Sequence, residues 1–259
     1  MSTIPSNTIL FITGAFVSHQ CWAEWETYFQ HNGFITHTPP WLFKDAPAKV
    51  LRERHPDDEV ASIRLSQLID HYEKIALSLA EKPIIIGHSI GGLIAQILLS
   101  RGHAAAAVAI HSVPPQGIFT FKFSFLKAGW GPLGFFTNSA ETFMISFKQW
   151  QYAFTNGMPL DIQQKGYALA IPESKLVVRD TITSAAKIDF TKPHNPLLLL
   201  AGDIDHSIPA SLNYSNYKKY SDKQSITAFK LFAGHNHYVL NQPGWKESAA
   251  YILDWLKNI

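Results

Sequence analysis

A chain of 259 residues with 46% hydrophobic and 16% charged residues can bury one large core without a partner, and no Ser/Gly-rich or charged linker divides it into halves. The formal net charge of +2, with lysine and arginine scattered along the chain, leaves no electrostatic footprint for nucleic acid. Cys21 is the single cysteine, which excludes an intrachain disulfide and a multi-cysteine metal site and fits a reducing compartment.

The opening stretch MSTIPSNTILFITGAF has neither a basic n-region nor a long apolar h-region, and no apolar run approaches the roughly 18 to 20 residues of a membrane span. A cytoplasmic protein without stable membrane association is therefore expected. Thr8 to Thr13 (TILFIT) is a continuous apolar run rather than an alternating one, as a strand covered on both faces requires. Apolar residues at spacings of three and four predict helices over Gln20 to Asn32 and Ile63 to Ala80. The strand run Lys82 to Gly87, a helix over Gly91 to Arg101 and the strand run Ala104 to Ile110 follow.

Between His111 and about Ile188 the alternation breaks down into a segment rich in Phe, Trp, Gly and Pro (FTFKFSFLKAGWGPLGFF, then FKQWQYAF). Alternation resumes with strand Pro196 to Ala201, helix Ala210 to Tyr220, an edge strand Ile226 to Phe232 and helix Trp245 to Lys257. The pattern predicts an α/β fold with a mostly parallel, doubly wound sheet. Residues 1–112 and 189–259 would form the core, and 113–188 a helical cap inserted over the sheet's C-terminal edge, where ligand sites of open α/β sheets lie. The whole is expected to be one domain.

Gly87-His88-Ser89-Ile90-Gly91 is a G-x-S-x-G pentapeptide placed directly after a strand run and directly before a helix. A sharp strand-to-helix turn of this kind lifts the serine hydroxyl clear of the sheet and aims backbone N–H groups of the helix N-terminus at a developing oxyanion. Serine needs a base, and the base needs an orienting partner; in such enzymes the acid and then the histidine follow on loops after late strands. The loop AGHNH offers His235 and His237, and His237 is favoured because it stands closer to the last helix. The loop GDIDHSIP offers Asp203 and Asp205; Asp203, next to Gly202, is suited to capping the turn, which favours Asp205. His206 is read as loop surface. Oxyanion donors are expected at Ile90 and, in the loop after the first strand, at Ala15, with Phe16 and His88 as pocket residues. The H-x-H pair lacks the spacing of a metal motif, so neither metal nor other cofactor is expected.

The segments GAFVSHQCW, GHSIGG, GDIDHSIPAS and GHNHYVLNQPGW resemble the α/β-hydrolase superfamily, in particular its bacterial lysophospholipase- and esterase-like group, over nearly the whole chain. The resemblance implies the α/β-hydrolase fold, nucleophile Ser89, acid Asp205, base His237 and oxyanion donors Ala15 and Ile90. Thr13 departs from the histidine that the group commonly carries before the first-loop glycine. The implied activity is hydrolysis of a carboxylic ester, including a lysophospholipid or another apolar acyl or aromatic ester, through an acyl-enzyme. A small-molecule substrate is the expected partner. A hydroxynitrile-lyase-like or perhydrolase-like activity and a ligand-binding receptor are the alternatives on the same frame. A lyase would need a cation facing the serine, with Lys122, Lys127 and Lys148 as candidates. Epoxide hydrolase and dehalogenase readings are disfavoured, since those relatives carry aspartate at the Ser89 position.

Overall fold

A computed structural model of the protein describes residues 5–133, 137–138 and 141–259. Eight strands occur among them: β1 (Thr8–Ile12), β2 (Ile35–His37), β3 (Ile84–His88), β4 (Ala106–Ile110), β5 (Thr142–Phe143), β6 (Glu173–Ser174), β7 (Leu197–Gly202) and β8 (Thr227–Phe232). The helices are α1 (Ala23–His31), α2 (Ala48–Glu53), α3 (Asp58–Ala61), α4 (Leu65–Ser78), α5 (Ile90–Ser100), α6 (Phe123–Leu133), α7 (Phe147–Ala153), α8 (Leu160–Ala168), α9 (Lys175–Asp180), α10 (Ala210–Tyr217) and α11 (Trp245–Asn258). Six strands form one sheet in the order β2-β1-β3-β4-β7-β8, with every neighbouring pair parallel.

The continuous apolar runs have the cause expected of them. Ile9, Phe11, Ile84, Ile86, Val108, Leu198 and Leu200 point to one face, where they pack with Trp22, Trp25 and Phe29 around α1 and with Ala249, Ile252 and Leu256 of α11. Their neighbours Leu10, Ile12, Ile85, Ala107, Leu197 and Leu199 point to the other, against Leu68, Ile69 and Tyr72 of α4 and Leu93, Ile94 and Leu98 of α5. A strand with both faces buried must be apolar at every position, which erases the period of two.

Strand β2 and helices α2 and α3 were not expected from the sequence. Strand β2 is a three-residue edge whose Ile35 remains 60% exposed, too short and too wet to leave an apolar run. Helix α1 is preceded by a separate 3-10 turn over His19–Trp22 rather than beginning at Gln20.

Between β4 and β7 the chain forms α6 to α9 and a small antiparallel pairing of β5 with β6. Residues 134–136 and 139–140 of the expected cap, with Phe135 and Phe136 of its aromatic run, lie outside the described residues, as do residues 1–4 of the expected core.

Register brings the strand ends level. Ile12 pairs with Gly87, His88 with Ile110, Ile110 with Leu200, and Gly202 with Phe232. The loops that start at Thr13, Ser89, His111, Asp203 and Ala233 therefore leave one edge of the sheet together. From β1 the chain turns outward to β2 and then crosses to β3 on the opposite side, so the strand order reverses between β1 and β3. That crevice is where open parallel sheets bind ligands.

Candidate active site

Ser89 joins β3 to α5 with φ 55° and ψ −117°, a conformation that costs a non-glycine residue of the order of 1–3 kcal/mol and persists only where the surroundings enforce it. Here the Ser89 N–H is held by the Ile110 carbonyl at 3.0 Å, and the Ser89 carbonyl accepts from Val113 N–H at 3.1 Å. The turn is so tight that a Cβ on Gly87 would lie 2.0 Å from the Gly91 carbonyl oxygen. Glycine at that position is a steric requirement of the elbow.

His237 lies in the loop between β8 and α11. Its Nε2 is 3.1 Å from Ser89 Oγ and its Nδ1 is 2.7 Å from Asp205 Oδ2. Asp205 Oδ1 accepts the Ile208 N–H at 2.8 Å. All three side chains are buried. Burial pushes the Asp205 carboxyl up, but the charge of His237 and hydrogen bonds from His111 and His237 outweigh it, so the group stays well below the usual carboxylate range. His237 is steadied from the cap side by the edge of Phe154, ring centroids 5.0 Å apart, and from below by His88, whose Nε2–H donates to the His237 carbonyl at 3.0 Å.

The rival residues have other partners. His235 stacks on Phe232 and meets Ser248 Oγ at 3.3 Å through Nδ1, facing α11. Asp203 accepts the Gly234 N–H at 2.7 Å, tying the loop after β7 to the loop after β8. His206 was expected at the loop surface; it is instead partly buried, with Nδ1 2.9 Å from the Tyr152 carbonyl of α7.

Ile90 is the first residue of α5, and Ala15 sits in the loop after β1. Neither backbone N–H has a hydrogen-bond partner among the described residues. A Cβ on Gly14 would meet Ser89 Cβ at 2.7 Å, so only glycine lets this loop come so close to Ser89. Thr13 anchors the loop in its own way: its hydroxyl is 3.2 Å from Cys21 Sγ, and its carbonyl accepts from Trp41 Nε1 at 3.2 Å. Burial pushes the Cys21 thiol up to about 12, which keeps it neutral in this role.

Above Ser89 lies a cavity of about 150 Å³ lined by Ala15, Phe16, Ile90 and His237 from the core and by Phe125, Ile145, Phe154 and Val178 from the insertion. The expectation for His88 fails here. Its ring does not line the cavity, because the elbow turns Ser89 outward and leaves its neighbour pointing back beneath His237, 3% exposed. Lys122, Lys127 and Lys148 do not line the cavity either; the Lys127 ammonium rests on the Tyr152 ring, 3.9 Å from its centroid. Among the described residues, the only group of three donor side chains close enough to hold a metal ion is His111, Asp205 and His237, with ligand atoms within 4.8 Å of one another. The Nδ1 atoms of both histidines are held on Asp205 Oδ2, at 2.8 and 2.7 Å.

A model of the alpha/beta hydrolase family matches residues 9–245. The chain belongs to that family.

Among curated proteins nothing matches this hydrolase. Solved structures similar to it include a monoacylglycerol lipase from Paleococcus ferrophilus (18% identity, TM-score 0.69, covering 97% of this chain and 94% of that one). A methylesterase protein, MES16, from Arabidopsis is similar at 15% identity and TM-score 0.68 over 97% of this chain and 99% of that one. Tomato methylketone synthase I, complexed with 2-tridecanone, matches at 15% identity and TM-score 0.69 over 96% and 97% of the two chains. At these identities the likeness is one of fold.

Two parts of this hydrolase's site left no mark in the sequence reading. His111, directly after β4, reaches Asp205 Oδ2 at 2.8 Å. Glu173 of the insertion accepts the Phe16 N–H at 3.1 Å and pairs with buried Lys44, so the insertion grips the loop that carries Ala15. The first had a usable signal, since a histidine at the C-terminal end of a central strand lies where open sheets bind ligands. The second joins residues more than a hundred positions apart and had none.

Proposed function

We propose that this alpha/beta hydrolase cleaves carboxylic esters through an acyl-enzyme, with Ser89 as nucleophile, His237 as base and Asp205 as the acid that orients it. The observation that carries the reading is the continuous hydrogen-bonded path from Asp205 through His237 to Ser89 Oγ, at 2.7 and 3.1 Å, opening on an apolar cavity. In the first step Ser89 Oγ attacks the ester carbonyl while its proton passes to His237 Nε2. The carbonyl oxygen, now an anion, takes the free N–H groups of Ala15 and Ile90. The bond to the leaving alcohol breaks as His237 returns the proton to it. Water then gives a proton to the same Nε2 and attacks the acyl carbonyl. The carboxylic acid departs as the acyl–Oγ bond breaks and Ser89 is reprotonated. Asp205 holds the Nδ1–H tautomer throughout and stabilises the imidazolium. The reaction draws on the chain's own groups and water.

The cavity, about 150 Å³, is the size that accepts a benzene-sized group, which supports a compact apolar acyl or aromatic ester over a long-chain lysophospholipid. A lyase of the kind weighed above asks for a cation beside the serine. No lysine or arginine lines the cavity among the described residues, which supports hydrolysis. The test is turnover of p-nitrophenyl acetate, butyrate, benzoate and palmitate by the wild type and by Ser89→Ala. The short and aromatic esters should be hydrolysed and palmitate poorly, and Ser89→Ala should lose at least about 10⁴-fold in kcat. Equal turnover by the two proteins would remove Ser89 from the mechanism.

A further inference from the structure

The proposed mechanism leaves one buried imidazole beside the triad unused. His111 follows β4, is 1% exposed, and has its backbone at φ 45°, in the left-handed region that costs a bulky residue energy. Its Nδ1 lies 2.8 Å from Asp205 Oδ2, the same oxygen that His237 Nδ1 meets at 2.7 Å, and the two rings stand 6.3 Å apart between centroids. An ionised carboxylate only accepts, so both imidazoles must present Nδ1–H, and together they use both lone pairs of Oδ2. His111 is thereby fixed as the Nδ1–H tautomer. Its Nε2 is left as a bare lone pair, buried and without a hydrogen-bond partner among the described residues. The strained backbone and the orphaned nitrogen are both unfavourable, and the bond to Asp205 offsets them.

We infer that His111 is a positioning residue: its Nδ1–H clamps Asp205 Oδ2 from the β4 side and so fixes the direction from which the carboxylate holds His237 against Ser89. The terminal torsion of an aspartate is soft, and here three donors pin it, Ile208 N–H on Oδ1 and the two imidazoles on Oδ2. Without His111, Oδ2 would be held by His237 alone, the ring it is meant to orient. A second effect is electrostatic. Burial keeps His111 neutral, and the positive end of its N–H faces Asp205, offsetting part of the carboxylate's pull on the His237 proton. The other groups that face His237 are Ser89 Oγ from the elbow, His88 from the end of β3, and the uncharged edge of Phe154 after α7. His235, on the same loop, faces Ser248 of α11. Removing the His111 donor therefore strengthens the hold of Asp205 on protonated His237.

The kinetic consequence rests on the ester-hydrolase reading; the structural one does not. His111→Phe keeps a planar ring and deletes the donor. His111→Asn places an amide N–H near the position of Nδ1 and tolerates the left-handed backbone. For each protein, the midpoint of the His237 ring is followed by NMR against pH, and kcat and KM for p-nitrophenyl butyrate are expressed per site titrated with a fluorophosphonate.

In His111→Phe the midpoint and the acid limb of kcat/KM should rise together by about 0.5–1 pH unit. Its kcat should fall about 10- to 100-fold, part of what a positioned base contributes, with KM nearly unchanged. His111→Asn should recover most of both effects. Wild-type midpoint and kcat in His111→Phe, or equal impairment in the two variants, would overturn the inference. Should His111→Phe not fold, the nitrogen spectrum of the wild type decides, because protonation of His111 at Nε2 rather than Nδ1 contradicts the clamp. Failure of wild-type Ser89 to react with the fluorophosphonate or turn over any ester would instead sink the hydrolase reading, and the NMR midpoints would still judge His111.

Discussion

Ser89 owes its place in the cavity lining to a backbone conformation that only small neighbours permit. At Gly87 even a methyl group would have to occupy space 2.0 Å from a carbonyl oxygen, and no flexible side chain stands there to yield. Gly87→Ala should therefore destabilise the fold by upwards of about 3 kcal/mol, read as a lowered urea midpoint, because backbone of α5 must move off β3. An unchanged midpoint would mean that the elbow is looser than its geometry. The G-x-S-x-G spacing was legible because that steric demand writes itself into adjacent residues. The histidine was legible only to within a loop: His235 and His237 are two positions apart, and what separates them is that one ring faces Ser89 and the other faces α11.

At the scale of elements, the insertion grips the loops at the sheet edge as well as covering them. Strand β6 supplies Glu173, which accepts the Phe16 N–H and neutralises Lys44, and Ile171 N–H just before it donates to the Phe16 carbonyl at 2.9 Å. Phe16 is held at both of its backbone polar groups, with φ 65°. Lys44 is 3% exposed, and burial lowers its pKa against the opposing pull of Glu173. Glu173→Gln keeps an acceptor for Phe16 but strands a buried ammonium. It should cost about 3–5 kcal/mol in urea unfolding, and adding Lys44→Met should recover most of that loss. If the double variant is no more stable than the single one, the pair is not what Glu173 contributes. None of this was readable beforehand, since Lys44 and Glu173 are far apart in the chain and neither sits in a periodic pattern.

For the molecule as a whole, burying imidazoles has a consequence in pH. His88 and His111 are held below their ordinary pKa, chiefly by burial, so the folded protein keeps them neutral where the unfolded chain would protonate them. Their contribution is complete above the unfolded value of about 6.5 and is lost as pH falls below it, at about 1.4 kcal/mol per pH unit for each histidine. Asp205, held below the usual range, adds a loss of the same sign once pH drops under the unfolded carboxylate value of about 3.9. Urea midpoints should be level with respect to these groups between pH 7 and 8 and fall steeply between about 6.5 and 5. Equal midpoints at pH 7.5 and pH 5 would contradict the neutral burial of both rings. Among the described residues, no helix is long and apolar enough to cross a membrane.

The doubly wound sheet is written in the residues themselves, because strands buried on both faces cannot hide their apolar runs, and so is the turn at Ser89, because its sterics act between neighbours in the chain. The sequence narrowed the residues that meet Ser89 to two loops, each holding two candidates, since loops after late strands of a parallel sheet leave from one edge. Folding in three dimensions settles which ring in the loop faces Ser89, that His88 turns beneath the site, that His111 shares Asp205, and that Glu173 braces the Phe16 loop. Those are matters of direction and of contact between distant segments, and neither composition nor periodicity encodes them.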